Sequence, residues 1–331
     1  IMSAAAIGYH NWDRWRQTQL QQEQIESLST AEALAAEGKI ENALAVYDQL
    51  AERLTRESAP QLYGLVAKRR GQLHLSLAAG DQRNTHLKKG AMALEGALLV
   101  YGYEKNSADY GRIHQMLADT YRHLSELENP KNYLQASIRS YQQALRVYRL
   151  EQDPKIYGAI QKGLAIAYRG LAERSEPEKN LNRAMGAFRN ALKVYTFSDY
   201  PFEYAVAHNN LGAMEMTLAD DEDRNHRLQG AVAHFSAALD GFAPERHPLD
   251  RAFTLSNLGL AHTSLAQYDQ QEKHLFKAMQ AFNAAAEILP KASHPKLAAI
   301  IEQNRRLLSE DLKQELSDPE SPVDPAQKKP Q

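Results

Sequence analysis

The sequence predicts an all-α solenoid built from antiparallel helix pairs, and three observations carry that reading. First, a period of 47 residues runs through the chain. Pro154, Pro201, Pro248 and Pro295 lie 47 apart, Pro60 lies two periods before Pro154, and Tyr63, Tyr110, Tyr157 and Tyr204 repeat in step. Second, the apolar columns keep the same register: Leu77, Leu124, Leu171, Leu218, Leu265 and Leu312 form one, and Leu87, Leu134, Leu181, Leu228 and Leu275 another. Third, each period holds two segments with apolar residues at i, i+3, i+4 and i+7, separated by a polar stretch such as 173–180 or 220–227. A fixed period of this kind marks a supersecondary unit that buries its apolar faces only by stacking on its neighbours.

Taken in order, residues 1–23 form an apolar and aromatic segment holding both tryptophans, Trp12 and Trp15, beside Tyr9, Arg14 and Arg16. Two readings fit it: the interfacial end of a membrane anchor continuing upstream, or an amphipathic helix packed on the first repeat. Residues 24–316 form the solenoid, about six helix pairs plus a capping helix. The first pair is compact, spanning 23–54 with Gly38 at its turn. In the longer pairs that follow, a proline opens the leading helix, where a fixed φ suits the first turn and the missing amide proton has no partner to lose. Ser107 takes that place in one period. Residues Gly64, Gly111, Gly158, Ala205, Ala252 and Ala299 are small throughout, as are Ala97, Ala144, Ala191, Ala238 and Ala285, which predicts close helix approach there. In the last helix Arg305 and Arg306 replace small and apolar repeat positions, which predicts a polar cap. Residues 317–331 carry four prolines and few apolar side chains, the composition of a disordered tail.

Within this frame the residues resemble the tetratricopeptide repeat, whose first helix carries Leu-Gly-x2-Tyr and whose second carries Ala-x3-Phe. Leu117-Ala118 precedes Tyr121, Leu164-Ala165 precedes Tyr168, and Leu211-Gly212 and Leu258-Gly259 keep the small residue. On the second helices the four-residue step is met by Ala43 with Tyr47, Ser137 with Tyr141, Ala184 with Phe188, Ala231 with Phe235 and Ala278 with Phe282. The resemblance implies a right-handed α-solenoid of TPR-like pairs that binds partners on the concave face of its first helices. The family period is about 34 residues, and a HEAT-class solenoid of roughly 40 to 47 residues also fits the spacing. The recurrent small-aromatic-small signature favours the tetratricopeptide form.

Composition narrows the chemistry. A formal charge of −2 over 331 residues supplies no global basic field for nucleic acid. The absence of cysteine removes disulfides, thiolate nucleophiles and cysteine-based metal centres, and leans toward an extracytoplasmic, periplasmic setting with membrane attachment through residues 1–16 and upstream sequence. No glycine-rich phosphate loop, G-x-S-x-G elbow or His-Glu-x-x-His spacing occurs, so neither a cofactor, a metal site nor a catalytic site is expected. The twelve histidines are dispersed, and His74 with His262 and His114 with His208 share repeat columns, pointing to packing or surface roles. The acidic run 220–223 lacks the spaced ligands and glycine of a calcium loop and is expected to be a solvated connection.

The expected function is therefore a non-enzymatic protein-protein interaction scaffold, with a docking or sensing domain of a larger enzyme as the other reading. The first-helix face is predicted to carry Lys68, Gln115, Lys162, Asn209 and Ser256 in one row, with Gln72, Asp119 and Leu260 in a second and Arg122, Arg169 and Met216 in a third. With Arg112, the early half is basic. Val206, Ala213, Met216, Phe253 and Leu260 make the later half apolar, a division suited to a protein or peptide partner with acidic and apolar portions.

Overall fold

The structure is a computed structural model that describes residues 2–220, 222–289 and 294–317, with side chains described from residue 18 to residue 310 within them. It forms two compact units, Ile1–Asn180 and Leu181–Gln331. The first contains α1 (Met2–Ala36), α2 (Ile40–Arg53), α3 (Pro60–Ser76), α4 (Arg83–Leu98), α5 (Ser107–Ser125), α6 (Pro130–Ala144) and α7 (Pro154–Ala172). The second contains α9 (Pro201–Leu218), α10 (Arg224–Gly241), α11 (Pro248–Leu265), α12 (Gln271–Ile288) and α13 (Pro295–Ser317), and α8 (Pro177–Ala191) carries the boundary. Among the described residues there is no strand. The arrangement is a tetratricopeptide-like repeat of helix pairs. In the first unit α1 packs on α2, α3 on α4 and α5 on α6, each pair lying against the next. In the second, α9 packs on α10 and α11 on α12, and α13 lies against α12.

Local sequence explains where the helices begin. Leading helices start at Pro60, Ser107, Pro154, Pro201, Pro248 and Pro295, as the period predicts. The residues before the first five, Ala59, Asn106, Asp153, Tyr200 and His247, share one backbone conformation, with φ of −148°, −138°, −131°, −139° and −129°. Three second helices are entered through a left-handed residue, Asn129, Glu176 or Gln270, at φ of 42°, 43° and 40°. The tight turn of the first pair uses Gly38 at φ 77°, which costs a glycine nothing.

The core repeats with the sequence. The alanine column Ala97, Ala144, Ala191, Ala238 and Ala285 has no exposed surface at any of its five positions. Ala191→Leu should therefore overpack the core and cost about 1–3 kcal/mol; an unchanged thermal melt would show that the column is not closely packed. The other small column is close to its neighbours for most of its length. A Cβ on Gly64 would stand 3.1 Å from Val100 and Tyr101, and one on Gly111 would stand 2.9 Å from Val147. Ala299 departs from this expectation and is exposed.

At the ends, α1 runs unbroken from Met2 to Ala36. The side chains of Tyr9, Trp12 and Trp15, that of Leu312, residue Asp221 of the acidic run, and residues 318–331 all lie outside what is described. Among the described residues no helix is long and apolar enough to cross a membrane.

Candidate protein-interaction faces

In the first unit the side chains of the basic face are already engaged. Lys68 on α3 is largely buried, its Nζ 2.8 Å from Asp109 Oδ1 on α5 and 5.3 Å from the centre of the Tyr101 ring. Gln72, one turn on, accepts a hydrogen bond from Arg69 at 3.3 Å. On α5, Asp119 accepts the hydroxyl proton of Tyr141 from α6. Arg122 lies 3.5 Å from Glu126 and 3.1 Å from the His123 ring, and Arg83 donates to the same Glu126 at 2.9 Å. Burial first, and then the Arg122 guanidinium, lower the pKa of His123 below the usual histidine value, against the Glu126 carboxylate, which raises it. Gln115 is half-buried and Arg112 exposed. Lys162 is half-buried and Arg169 exposed on α7, and each makes a further polar or electrostatic interaction. Asp109 and Glu126 thus offset Lys68 and Arg122 from neighbouring positions.

The second unit differs. The first helices α9, α11 and α13 each carry an apolar residue, an asparagine and an apolar residue at i, i+4 and i+7, which places the three on one face. These are Val206, Asn210 and Ala213; Phe253, Asn257 and Leu260; and Ile300, Asn304 and Leu307. Phe253 is 45% exposed, Leu260 36%, Ile300 51% and Leu307 47%, and Asn257 and Asn304 are half-buried; on α9, Val206 and Ala213 are half-buried against the core and Asn210 donates to the Val206 carbonyl at 2.8 Å. Helix α11 contacts both α9 and α13. Several residues expected on this face, Val206 and Ala213 among them, serve packing instead. Met216 lies against the cluster of Ala231, Phe235 and Ala261, and Asn209 accepts a hydrogen bond from Thr254 at 3.2 Å that ties α9 to α11. Ser256, in the same row as Asn209, is buried.

Sequence reasoning missed Asn257, Ile300, Asn304 and Leu307. The signal was present, since 47 residues carry Phe253 to Ile300 and Leu260 to Leu307, but Arg305 and Arg306 mark the last helix as a polar cap. The structure corrects that expectation in part. Arg305 turns toward α12 and donates to Asn283 at 2.8 Å, which leaves Ile300 and Leu307 on the outer face.

Elsewhere in the first unit a cleft of 370 Å³ is lined by Asp48, Arg70, His74, Lys89 and Met92 among others, and Arg70 and Asp48 form an ion pair at 2.7 Å in its wall. Among the described residues no group of three or more His, Asp or Glu side chains is placed to hold a metal ion.

No protein-family model and no curated protein matches the chain. Solved structures do. One is the C-terminal part of a TPR repeat-containing protein from Cytophaga hutchinsonii, 14% identical, covering 82% of this chain and 98% of that one at a TM-score of 0.41. Another is the TPR2AB domain of yeast Sti1 in its complex with pHSP90, 13% identical, covering 86% and 98% at a TM-score of 0.30.

Proposed function

We propose that this chain is a non-catalytic protein-interaction scaffold, and that the face of α11 and α13 holds an extended polypeptide segment with apolar side chains. The observation that supports this reading is the apolar-asparagine-apolar stripe carried by both α11 and α13. An asparagine amide offers one acceptor and two donors, the complement of a peptide main-chain group, and so binds it without regard to sequence. The flanking Phe253, Leu260, Ile300 and Leu307 would take side chains of the segment and supply the selectivity. Large apolar side chains grouped on one exposed face usually have such a use. The interactions already made within the first unit make its basic face the weaker candidate, and an acidic portion of the partner would engage it through Arg112, Lys162 and Arg169.

The test is site-specific photo-cross-linking of the full chain in its native cells. A benzophenone side chain at position 260 or 307 should capture one or a few polypeptides that the same group at Phe276, exposed on α12, does not. With a captured partner in hand, Leu260→Asp and Leu307→Asp should each weaken its binding by about tenfold. Equal capture from all three positions would mean general stickiness and would end the assignment. Loss of the partner on reversing Lys162 and Arg169 to glutamate, with both apolar variants unaffected, would move the site to the first unit.

A further inference from the structure

In four helix pairs one edge is closed by a side-chain clasp, and in these four the clasp occupies the same two positions of the repeat. In the first unit His74 on α3 faces His86 on α4, Nδ1 to Nδ1 at 3.2 Å. One period later Tyr121 on α5 stacks on Tyr133 of α6, with ring centres 6.1 Å apart and planes 21° from parallel. In the second unit Glu215 on α9 is 3.1 Å from Arg227 on α10. One period later His262 on α11 faces His274 on α12 at 2.9 Å. Positions 74, 121, 215 and 262 are whole periods apart, as are 86, 133, 227 and 274. One mechanical role is therefore filled by three chemistries, and only the histidine pair changes charge near neutral pH.

A histidine pair closes when one ring donates its Nδ1 proton to the bare Nδ1 of the other. One added proton keeps a donor and an acceptor but puts a cation where His74 and His262, 4% and 5% exposed, have little access to water. A second removes the acceptor and sets two cations against each other. We propose that these two clasps make the pairs α3–α4 and α11–α12 acid-labile, loosening them as the pH falls from 7 to 5, while the tyrosine clasp holds α5–α6 closed. The surrounding charges favour this. Lys89 and Arg70 oppose a proton on His74, and Asp48, which favours one, is held by Arg70. Lys277 opposes a proton on His262, and Lys277 and Lys273 oppose one on His274, against Asp269 alone. Burial, with the partner ring second, lowers both His74 and His262 to about 4. The folded chain thus binds these protons more weakly than the unfolded one, whose histidines titrate near 6.5. The clasps' contribution to stability is whole above about pH 6.5 and is lost as the pH falls from there toward about 4. A third pair, His208 and His234 at 2.9 Å, joins α9 to α10 at other repeat positions; the Tyr204 ring packs on His208, and Glu215 and Arg189 act on His234.

The protein's own alternatives supply the test. His74→Tyr with His86→Tyr copies the tyrosine clasp, and His262→Glu with His274→Arg copies the ion pair. Between pH 7 and pH 5 the melting temperature of the wild-type full chain should fall by about 5 °C more than that of this fourfold variant. Equal falls would overturn the proposal. If the variant does not fold, a histidine NMR titration of the wild type decides. Resonances assigned to His74 and His262 that titrate near 4, with loss of amide protection in α3–α4 and α11–α12 but not in α5–α6, support it. Twelve histidines titrating near 6.5 with protection unchanged reject it.

Discussion

Gly212→Leu is expected to destabilise the α9–α10 pair by about 3 kcal/mol, the upper end of the usual cost of overpacking. A Cβ at Gly212 would stand 2.8, 2.9 and 3.0 Å from three ring atoms of Phe235, and that ring is fully buried. A flat ring held on all sides cannot yield as the tip of a flexible side chain would, so the helices must part. Phe235→Ala alone should cost about 3–5 kcal/mol through the cavity it leaves. The double variant should cost at least about 1 kcal/mol less than the sum, because each change removes the other's reason for harm. Chemical denaturation of the four proteins measures that coupling, and strict additivity would show that the ring does not lie over the glycine. One period later, a Cβ at Gly259 would stand 2.7, 2.8 and 2.9 Å from Phe282, so the same cycle should give the same sign there. This packing is the physical content of the small-residue and aromatic positions in the tetratricopeptide signature.

Tyr141→Ala should cost about 4 kcal/mol, since the side chain joins three helices of the first unit. It is fully buried on α6, its hydroxyl is bonded to Asp119 on α5, and its ring edge lies against Gly163 on α7. Tyr141→Phe isolates the second of these contacts. It leaves the packing intact but strips Asp119 of its donor, for a cost of about 1–3 kcal/mol. Burial first, and then the Asp119 charge, raise the pKa of the Tyr141 hydroxyl well above its ordinary value, so the proton stays in place through the alkaline range. The stability loss of Tyr141→Phe should accordingly be the same at pH 7 and pH 9 by urea denaturation. A neutral Tyr141→Phe would mean that Asp119 is free to meet a partner, as the sequence suggested.

The period, the start of every leading helix after the first pair, the turn at Gly38 and the buried alanine column were legible in the sequence. Each of these follows from local rules, the fixed φ of proline, the freedom of glycine and the 3.6-residue spacing of apolar side chains, repeated until chance is excluded. The polar positions were not legible in that way. Lys68 and Asp109 are 41 residues apart and Asp119 and Tyr141 are 22 apart, so whether a charge faces a partner molecule or an internal mate depends on how neighbouring helices are set against each other. The tertiary structure alone decided that Arg305 turns inward and leaves Ile300 and Leu307 exposed, and that His74 meets His86 where Tyr121 meets Tyr133. An apolar pattern specifies which face is buried, because burial is non-directional and summed over many residues. A polar side chain is specified by one bond of fixed length and angle, and that is settled only when the helices have packed.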